Sequence, residues 1–324
     1  VEIRDFRIPA FFLWVSITTA MPIHLPPIDR RRFLAGALSA GALALLPRQA
    51  WAEESPHDPN CFALLSDIHI PEQRDHETKG VKPVHNLEHA LDVILKEAKR
   101  PSQIIVSGDC AHLKGHAGDY AMIRRLIEPV RHAGMHVHLA LGNHDHRKVL
   151  REAFPELSAK AVENSELANK FVSIVETQHA NWFLLDSLDQ TDVTPGILGE
   201  GQLKWLAQEL DARPNKPALL VAHHQLSKKL PTHGLVDSEA FFNVILPRKQ
   251  VKAYFYGHTH QWHCHHEDNM HLVNIPTTAW LFEESQPRGF VLSHLRADGM
   301  TLVLHSIDHN HPKHGEKVEL KWRA

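Results

Sequence analysis

Phe62-Ala63-Leu64-Leu65-Ser66-Asp67-Ile68-His69 is a short apolar run that breaks into polar residues at its C-terminal end. So short an uninterrupted run suits a strand buried on both faces. Asp67 and His69 stand two apart just beyond it, so both side chains project from one side toward one point. The same pattern recurs four times. Residues 104–106 lead into Gly108-Asp109, and 137–141 into Gly142-Asn143-His144-Asp145. Residues 218–221 lead into His223-His224, and 253–256 into Gly257-His258-Thr259-His260.

Between the early runs the apolar residues change to a helical period. Leu87, Leu91, Ile94, Leu95 and Ala98 make one face, and Met122, Ile123, Leu126, Ile127 and Val130 make another. A third helix is expected over 202–210, with Leu203, Leu206 and Leu210 inward, and a further strand over 182–185. Strands alternating with helices predict an α/β protein with a largely parallel sheet. In such sheets sites gather outside the carboxyl ends of the strands, where the polar clusters fall. The tail reads differently: 271–275, 289–294 and 300–306 are successive strands, with hairpin chemistry at Ala297-Asp298-Gly299. With no internal repeat and no low-complexity linker, 53–324 is expected to be one catalytic domain.

The 324 residues are 43% hydrophobic and 23% charged, an ordinary globular composition. Residues 1–52 hold six Lys/Arg and three Asp/Glu, so the overall charge of -3 leaves -6 on the remainder. A mildly acidic body argues against binding of a nucleic acid duplex, which calls for a basic stripe. Histidine is the outlier, with 28 residues, most of them expected at the surface or beside the site. Cys61, Cys110 and Cys264 are odd in number and lack a CxxC spacing, so neither a disulfide framework nor a cysteine zinc site is expected. Cys110 and Cys264 read as small buried residues.

Arg30-Arg31-Arg32-Phe33-Leu34, an Ala- and Gly-rich apolar stretch over 35–46, and Ala50-Trp51-Ala52 read as a secretory leader, with an N-terminal anchor or a chance basic-apolar junction as the alternatives. Cleavage is expected after Ala52. The apolar stretch is shorter than the roughly 18 residues of a spanning helix. The Arg-Arg-x-Phe-Leu core resembles a twin-arginine signal, which implies export in the folded state to the periplasm or beyond. Met21 is expected to be the translation start; a start at Val1 would make 8–23 a second membrane candidate.

Singly, each polar cluster also fits a turn, a helix cap or a structural histidine. As a series they resemble the calcineurin-like metallophosphoesterase superfamily, whose pattern is D-x-H, GD, GNH[DE], H and GHxH. The resemblance implies a four-layer α/β/β/α sandwich with mixed sheets and a centre of two transition metal ions, Mn, Fe or Zn. It implies that Asp67, His69, Asp109 and His260 hold one ion, and that Asp109, Asn143, His223 and His258 hold the other. Of the pair His223-His224 it favours the first, although the sequence leaves a swap open. Two such cations clamp phosphoryl oxygens and make a shared water acidic enough to attack phosphorus. His144 is then expected to neutralise developing charge or protonate the leaving oxygen, with Asp145 orienting it.

Residues beside the clusters narrow the branch. Gly108-Asp109-Cys110-Ala111-His112 lacks the GDxxDRG of protein Ser/Thr phosphatases, and His112 stands where purple acid phosphatases place a tyrosine. The large second domain usual in the 5'-nucleotidase branch is not expected within these 324 residues. The remaining pattern resembles the small bacterial phosphodiesterases grouped as class III cyclic-nucleotide phosphodiesterases. That likeness includes Tyr120, Leu185-Asp186-Ser187, Gln202-Leu203-x-Trp205-Leu206, 276–280 and 287–290. A phosphodiesterase acting on a small or lipid-derived phosphate ester is expected; a phosphate-scavenging phosphomonoesterase and a non-catalytic metal-binding scaffold are the alternatives. Trp262, His263, His265, His266, Trp280 and Phe282 are candidates for the pocket mouth.

Overall fold

The first apolar run explains the layering. Strand β2 (His57–Leu65) sends Phe62 and Leu64 into one cluster of buried side chains and Cys61, Ala63 and Leu65 into another, all at most 1% exposed. A strand buried on both faces needs apolar residues at every position, so it shows no alternation. The computed structural model describes residues 55–155, 167, 170–226 and 233–324, with the backbone of 23–25. The twin-arginine core, its apolar stretch, the cleavage site and Met21 lie outside the described residues. Among the described residues no helix is long and apolar enough to cross a membrane.

In chain order the elements are β1 (Ile23–Leu25), β2, α1 (Pro83–Lys96), β3 (Arg100–Val106), α2 (Ala117–His132), β4 (His136–Leu139), α3 (Arg147–Ala153), β5 (Ser173–Glu176) and β6 (Asn181–Leu184). They continue with α4 (Glu200–Asp211), β7 (Ala218–Val221), α5 (Ser238–Ile245), β8 (Val251–Tyr256), β9 (His263–Glu267), β10 (Met270–Asn274), β11 (Gly289–Arg296), β12 (Gly299–Ser306) and β13 (Lys317–Lys321). Two mixed sheets form, in the orders β1-β4-β3-β2-β11-β12-β13 and β5-β6-β7-β8-β10-β9. The single, largely parallel sheet read from strand-helix alternation is therefore corrected. The parallel units β2-β3-β4 and β6-β7-β8-β10 sit in different sheets, each extended by antiparallel strands. The tail hairpin is present: Arg296 pairs with Gly299 across a two-residue turn.

Inner faces of the two sheets meet over Phe62, Leu64, Trp182, Leu219, Val221, Phe255 and Leu302. Trp182 packs between Phe62 and Phe255, with ring centroids 5.1 and 5.2 Å away. Helices α1 and α2 cover the outer face of the first sheet through Leu87, Leu91, Ile94, Ile123 and Ile127. Leu203, Leu206 and Leu210 of α4, with Phe241 and Ile245 of α5, cover the second. The result is the expected α/β/β/α sandwich, and its parallel strands from both sheets end on one rim.

Candidate metal centre

That rim gathers the polar clusters. Asp67 and His69 follow β2, Asp109 follows β3 and Asn143 follows β4, while His223 follows β7 and His258 and His260 follow β8. Asp67, His69, Asp109, His258 and His260 all take left-handed backbone, with φ between 43° and 68°. Such a conformation costs about 1–3 kcal/mol per non-glycine residue and persists only where the surroundings over-determine it. Here the surroundings do so. His69 N donates to Asp109 O at 2.9 Å, Asp67 N to Gly108 O at 3.1 Å, and Gly257 N to His223 O at 3.0 Å. His258 N reaches the Asp67 carboxylate at 3.0 Å, tying the two sheets together through the site. A Cβ at Gly142 would overlap the Asp109 carboxylate, and one at Gly257 would overlap Ser66 and Asp67, so neither position admits a side chain.

Of three groups of donor side chains that converge here, two are triads of expected ligands, all buried except the half-buried His258. Asp67, His69 and His260 make one; Asp109, His223 and His258 make the other. Asp67 Oδ1 lies 3.3 Å from His260 Nε2, and Asp109 Oδ2 lies 3.2 Å from His223 Nε2 and 3.7 Å from His69 Nε2. Asp109 therefore stands between the triads. His69 and His260 bring ring nitrogens to 3.2 Å, and His223 and His258 to 3.3 Å. Two neutral imidazoles share one proton across such a contact; a cation accepts a lone pair from both. Asn143 Oδ1 is buried with no partner among the described protein atoms, as are the Nδ1 atoms of His69 and His223. An orphaned buried acceptor of this kind requires a partner. The mixed oxygen and imidazole set fits transition metal ions.

Electrostatics point the same way. Burial alone would raise the Asp67 and Asp109 carboxyls, but the adjacent histidines hold both well below the usual carboxylate range. Burial disfavours charge on His223, yet Asp109 and Asp67 raise its pKa to about 9. His258 is pushed down to about 4, by burial and then by His223. The carboxylates thus draw positive charge into a dry site. His260 Nδ1 lies 2.6 Å from the Trp280 carbonyl, which places the proton there and leaves Nε2 toward Asp67. His224 turns away to Ser187 Oγ at 2.8 Å, so His223 is the member of the pair that faces Asp109.

His144 joins His69 and Asp109 at the rim, with its ring 5.3 Å from that of His69. Its supporting partner differs from expectation. The Asp145 carboxylate accepts from the backbone N–H groups of Cys110, Ala111 and Gly142 at 2.9–3.1 Å and from Tyr120 Oη at 3.0 Å. It braces the GD and GNHD loops against each other rather than orienting His144. Burial, followed by the charge of Asp109, raises its pKa to about 6. The groups facing His144 Nδ1 are the Leu113 carbonyl at 2.6 Å and Asp192 Oδ1 at 3.6 Å.

Asp192 was not singled out by its sequence. It lies in a loop seven residues beyond the apolar run 182–185, strapped onto the GNHD segment. Asp192 N donates to Asn143 O at 2.7 Å and Thr191 Oγ1 to Asp145 O at 2.7 Å. Asp186 anchors that loop by accepting two bonds from Arg147 and one from Phe171 N. Of the mouth candidates, Trp280 and Phe282 line a cleft of about 480 Å³ above the triads. Trp262 is instead buried and donates to Glu316, while His263, His265 and His266 belong to edge strand β9. Cys110 is buried and its thiol pushed well up by burial, then by Asp145; Cys264 is pushed up to about 12 by burial and then Glu316.

This fold, with two donor triads at the strand ends, defines a metallophosphoesterase, a hydrolase of phosphoric esters. Residues 62–262 match the calcineurin-like phosphoesterase family, and the chain belongs to it. Among named relatives, it is similar to the 3',5'-cyclic adenosine monophosphate phosphodiesterase of Pseudomonas aeruginosa. The two are 27% identical over 247 residues, covering 74% of this chain and 84% of that protein. A 3',5'-cyclic-nucleotide phosphodiesterase of Nostoc sp. is 24% identical over 254 residues, covering 74% of this chain and 90% of that protein. In fold, a dimetal phosphatase from Danio rerio matches with a TM-score of 0.62 at 15% identity, over 82% of this chain and 100% of that one.

Proposed function

We propose that the protein is a phosphodiesterase acting on a small phosphate diester with two transition metal ions. Asp67, His69, Asp109 and His260 would hold one ion and Asp109, Asn143, His223 and His258 the other. The position of Asp109 Oδ2, 3.2 Å from His223 and 3.7 Å from His69, carries this reading because a shared carboxylate must reach both donor sets. When bound, the ions neutralise phosphoryl charge and lower the pKa of an attacking water.

The chain's own residues do the rest. His144, at the rim and open to the cleft, donates a proton to the leaving oxygen. The Leu113 carbonyl and Asp192 hold Nδ1 and stabilise the charged ring. Asp145 keeps the GD and GNHD loops in register. A cleft of about 480 Å³ has room for both arms of a diester, and relatives at about a quarter identity bear cyclic-nucleotide phosphodiesterase names. The test compares bis-p-nitrophenyl phosphate with p-nitrophenyl phosphate on Mn²⁺-loaded protein. A higher kcat/KM for the diester is expected, and the reverse order would establish a phosphomonoesterase instead.

We further propose that residues 1–52 are a twin-arginine leader, cut after Ala52, and that the enzyme works in the periplasm or outside the cell. Support comes from Arg30-Arg31-x-Phe33-Leu34 and the Ala50-Trp51-Ala52 site. The metal set also favours a protein that folds and loads before export. Cutting there would remove β1, a three-residue edge strand, and leave the remaining sheet order intact. Replacing Arg30 and Arg31 by lysines should retain the uncut protein in the cytoplasm; unimpaired export would refute the leader.

A further inference from the structure

The two ends of the cleft differ chemically. On the side of His69 and His260 the wall is aromatic: Trp280 stacks on His69 at 4.1 Å and Phe282 on His260 at 4.2 Å between ring centroids. On the side of His223 and His258 the wall is polar, built from Thr194, Gln225 and His233. Four large apolar side chains are exposed among the described residues, and two of them, Leu113 and Phe282, line this cleft. Phe282 is 62% exposed, the most of the four, and exposed apolar surface concentrated at a cleft marks a binding surface.

Above Phe282 sits Lys79. Its Nζ lies 4.7 Å from the Phe282 ring centroid and 5.0 Å from that of Trp280. Among the described residues no carboxylate partners this ammonium. A tight turn presents it: Thr78 and Val81 exchange backbone hydrogen bonds at 2.9 and 3.1 Å, and Lys79 and Gly80 both take positive φ, 47° and 75°. Positive φ at both central positions is the type I′ turn, which fixes where the side chain leaves the backbone. The cation is thus fixed at its root and free at its tip. Its contact with the exposed Phe282 ring is weak and easily displaced.

We propose that Phe282 and Lys79 form a subsite for a flat aryl or heteroaryl ring on one alcohol arm of the diester. This rests on the phosphodiesterase reading. The ring would lie on Phe282 with the Lys79 ammonium above it, so the cation exchanges one π face for another. An alkyl arm in that place would part the cation from its rings and desolvate it with nothing in return. The ring-bearing arm accordingly points to the Asp67-His69-His260 side.

The experiment measures kcat/KM of the Mn²⁺-loaded enzyme for two diesters with one leaving group, thymidine 5'-(p-nitrophenyl phosphate) and ethyl p-nitrophenyl phosphate. A shared leaving group keeps the chemical step alike, so the ratio of the two reports the other arm. Phe282→Ala should lower the thymidine/ethyl ratio about tenfold, mainly through KM, within the range for loss of one stacked base. Phe282→Tyr should keep the ratio, and Lys79→Met should lower it by about two- to fivefold. A disturbance of His260 would slow both esters together and leave the ratio unchanged. A ratio unmoved in Phe282→Ala overturns the subsite, and a ratio preserved in Phe282→Leu overturns the flat-ring requirement. If neither diester turns over while p-nitrophenyl phosphate does, the phosphodiesterase reading falls and takes the subsite with it.

Discussion

Replacing Asp192 by asparagine removes one charge and little else. The residue sits at φ 66°, a region asparagine tolerates, and its N–H bond to the Asn143 carbonyl is a backbone contact that survives. What changes is a carboxylate oxygen 3.6 Å from His144 Nδ1. At that distance a unit charge pair is worth about 1 kcal/mol in a water-like dielectric and about 4–5 kcal/mol at an effective constant of 20. Asp192 is 44% exposed and Lys114 lies 3.8 Å from its other oxygen, both of which favour the lower figure. About 1 kcal/mol corresponds to a roughly fivefold fall in kcat. The loss should appear only where His144 must give up a proton, which means esters with poor leaving groups. A p-nitrophenyl ester, whose leaving group departs as the anion, should be nearly unaffected. The assay is kcat across diesters of graded leaving-group pKa, with bound metal measured in each preparation. In a His144→Ala background the Asp192 effect should vanish, since the two act as one unit. Equal loss on all leaving groups, or an effect that persists without His144, would refute the reasoning.

Two other expectations concern the metals. Asp109→Ala removes the carboxylate between the triads, so at least one ion should be lost and turnover should fall at least about a thousandfold; full turnover with two ions bound would sink the shared-ligand assignment. Metal affinity should rise with pH, because the cation displaces a proton from His223, whose pKa Asp109 and Asp67 raise to about 9. Between pH 7 and 9 the apparent affinity should tighten about tenfold per unit, then level above 9. His258, at about 4, is already neutral and adds no slope there. Chelator competition with Mn²⁺ or Zn²⁺ measures this, and a flat profile over that range would exclude His223 as a ligand.

The donor residues were legible because their signal is local. A buried parallel strand needs an unbroken apolar run, and a side chain at its carboxyl end stands at the rim by geometry alone. Hence 62–65, 104–106, 137–141, 218–221 and 253–256 located all seven expected metal ligands. The sheet division was not legible in the same way. An apolar strand reads alike whether helices or a second sheet cover it, so nothing in 218–221 says that Leu219 meets Phe255 while Leu220 meets the helices. Strands β9 and β13 escaped notice because one carries three histidines and the other alternates charged residues at an exposed edge.

Asp145 and Asp192 show where reading by proximity fails. Asp145 is adjacent to His144 in sequence, yet the turn Gly142-Asn143-His144-Asp145 sends the two side chains to opposite sides. One meets the cleft, and the other meets three buried N–H groups that a tight loop leaves without partners. Asp192 is 48 residues from His144 and reaches it because Asp186, held by Arg147 and Gln202, pins the intervening loop and Thr191 and Asp192 bond to the GNHD backbone. The chain thus supplies the donor set from strand ends, which sequence encodes locally, and places the carboxylate beside His144, the proposed proton donor, on a loop that only tertiary hydrogen bonds position. Variation in that loop, and in the turn that carries Lys79, can change leaving-group and ring preference without touching a metal ligand.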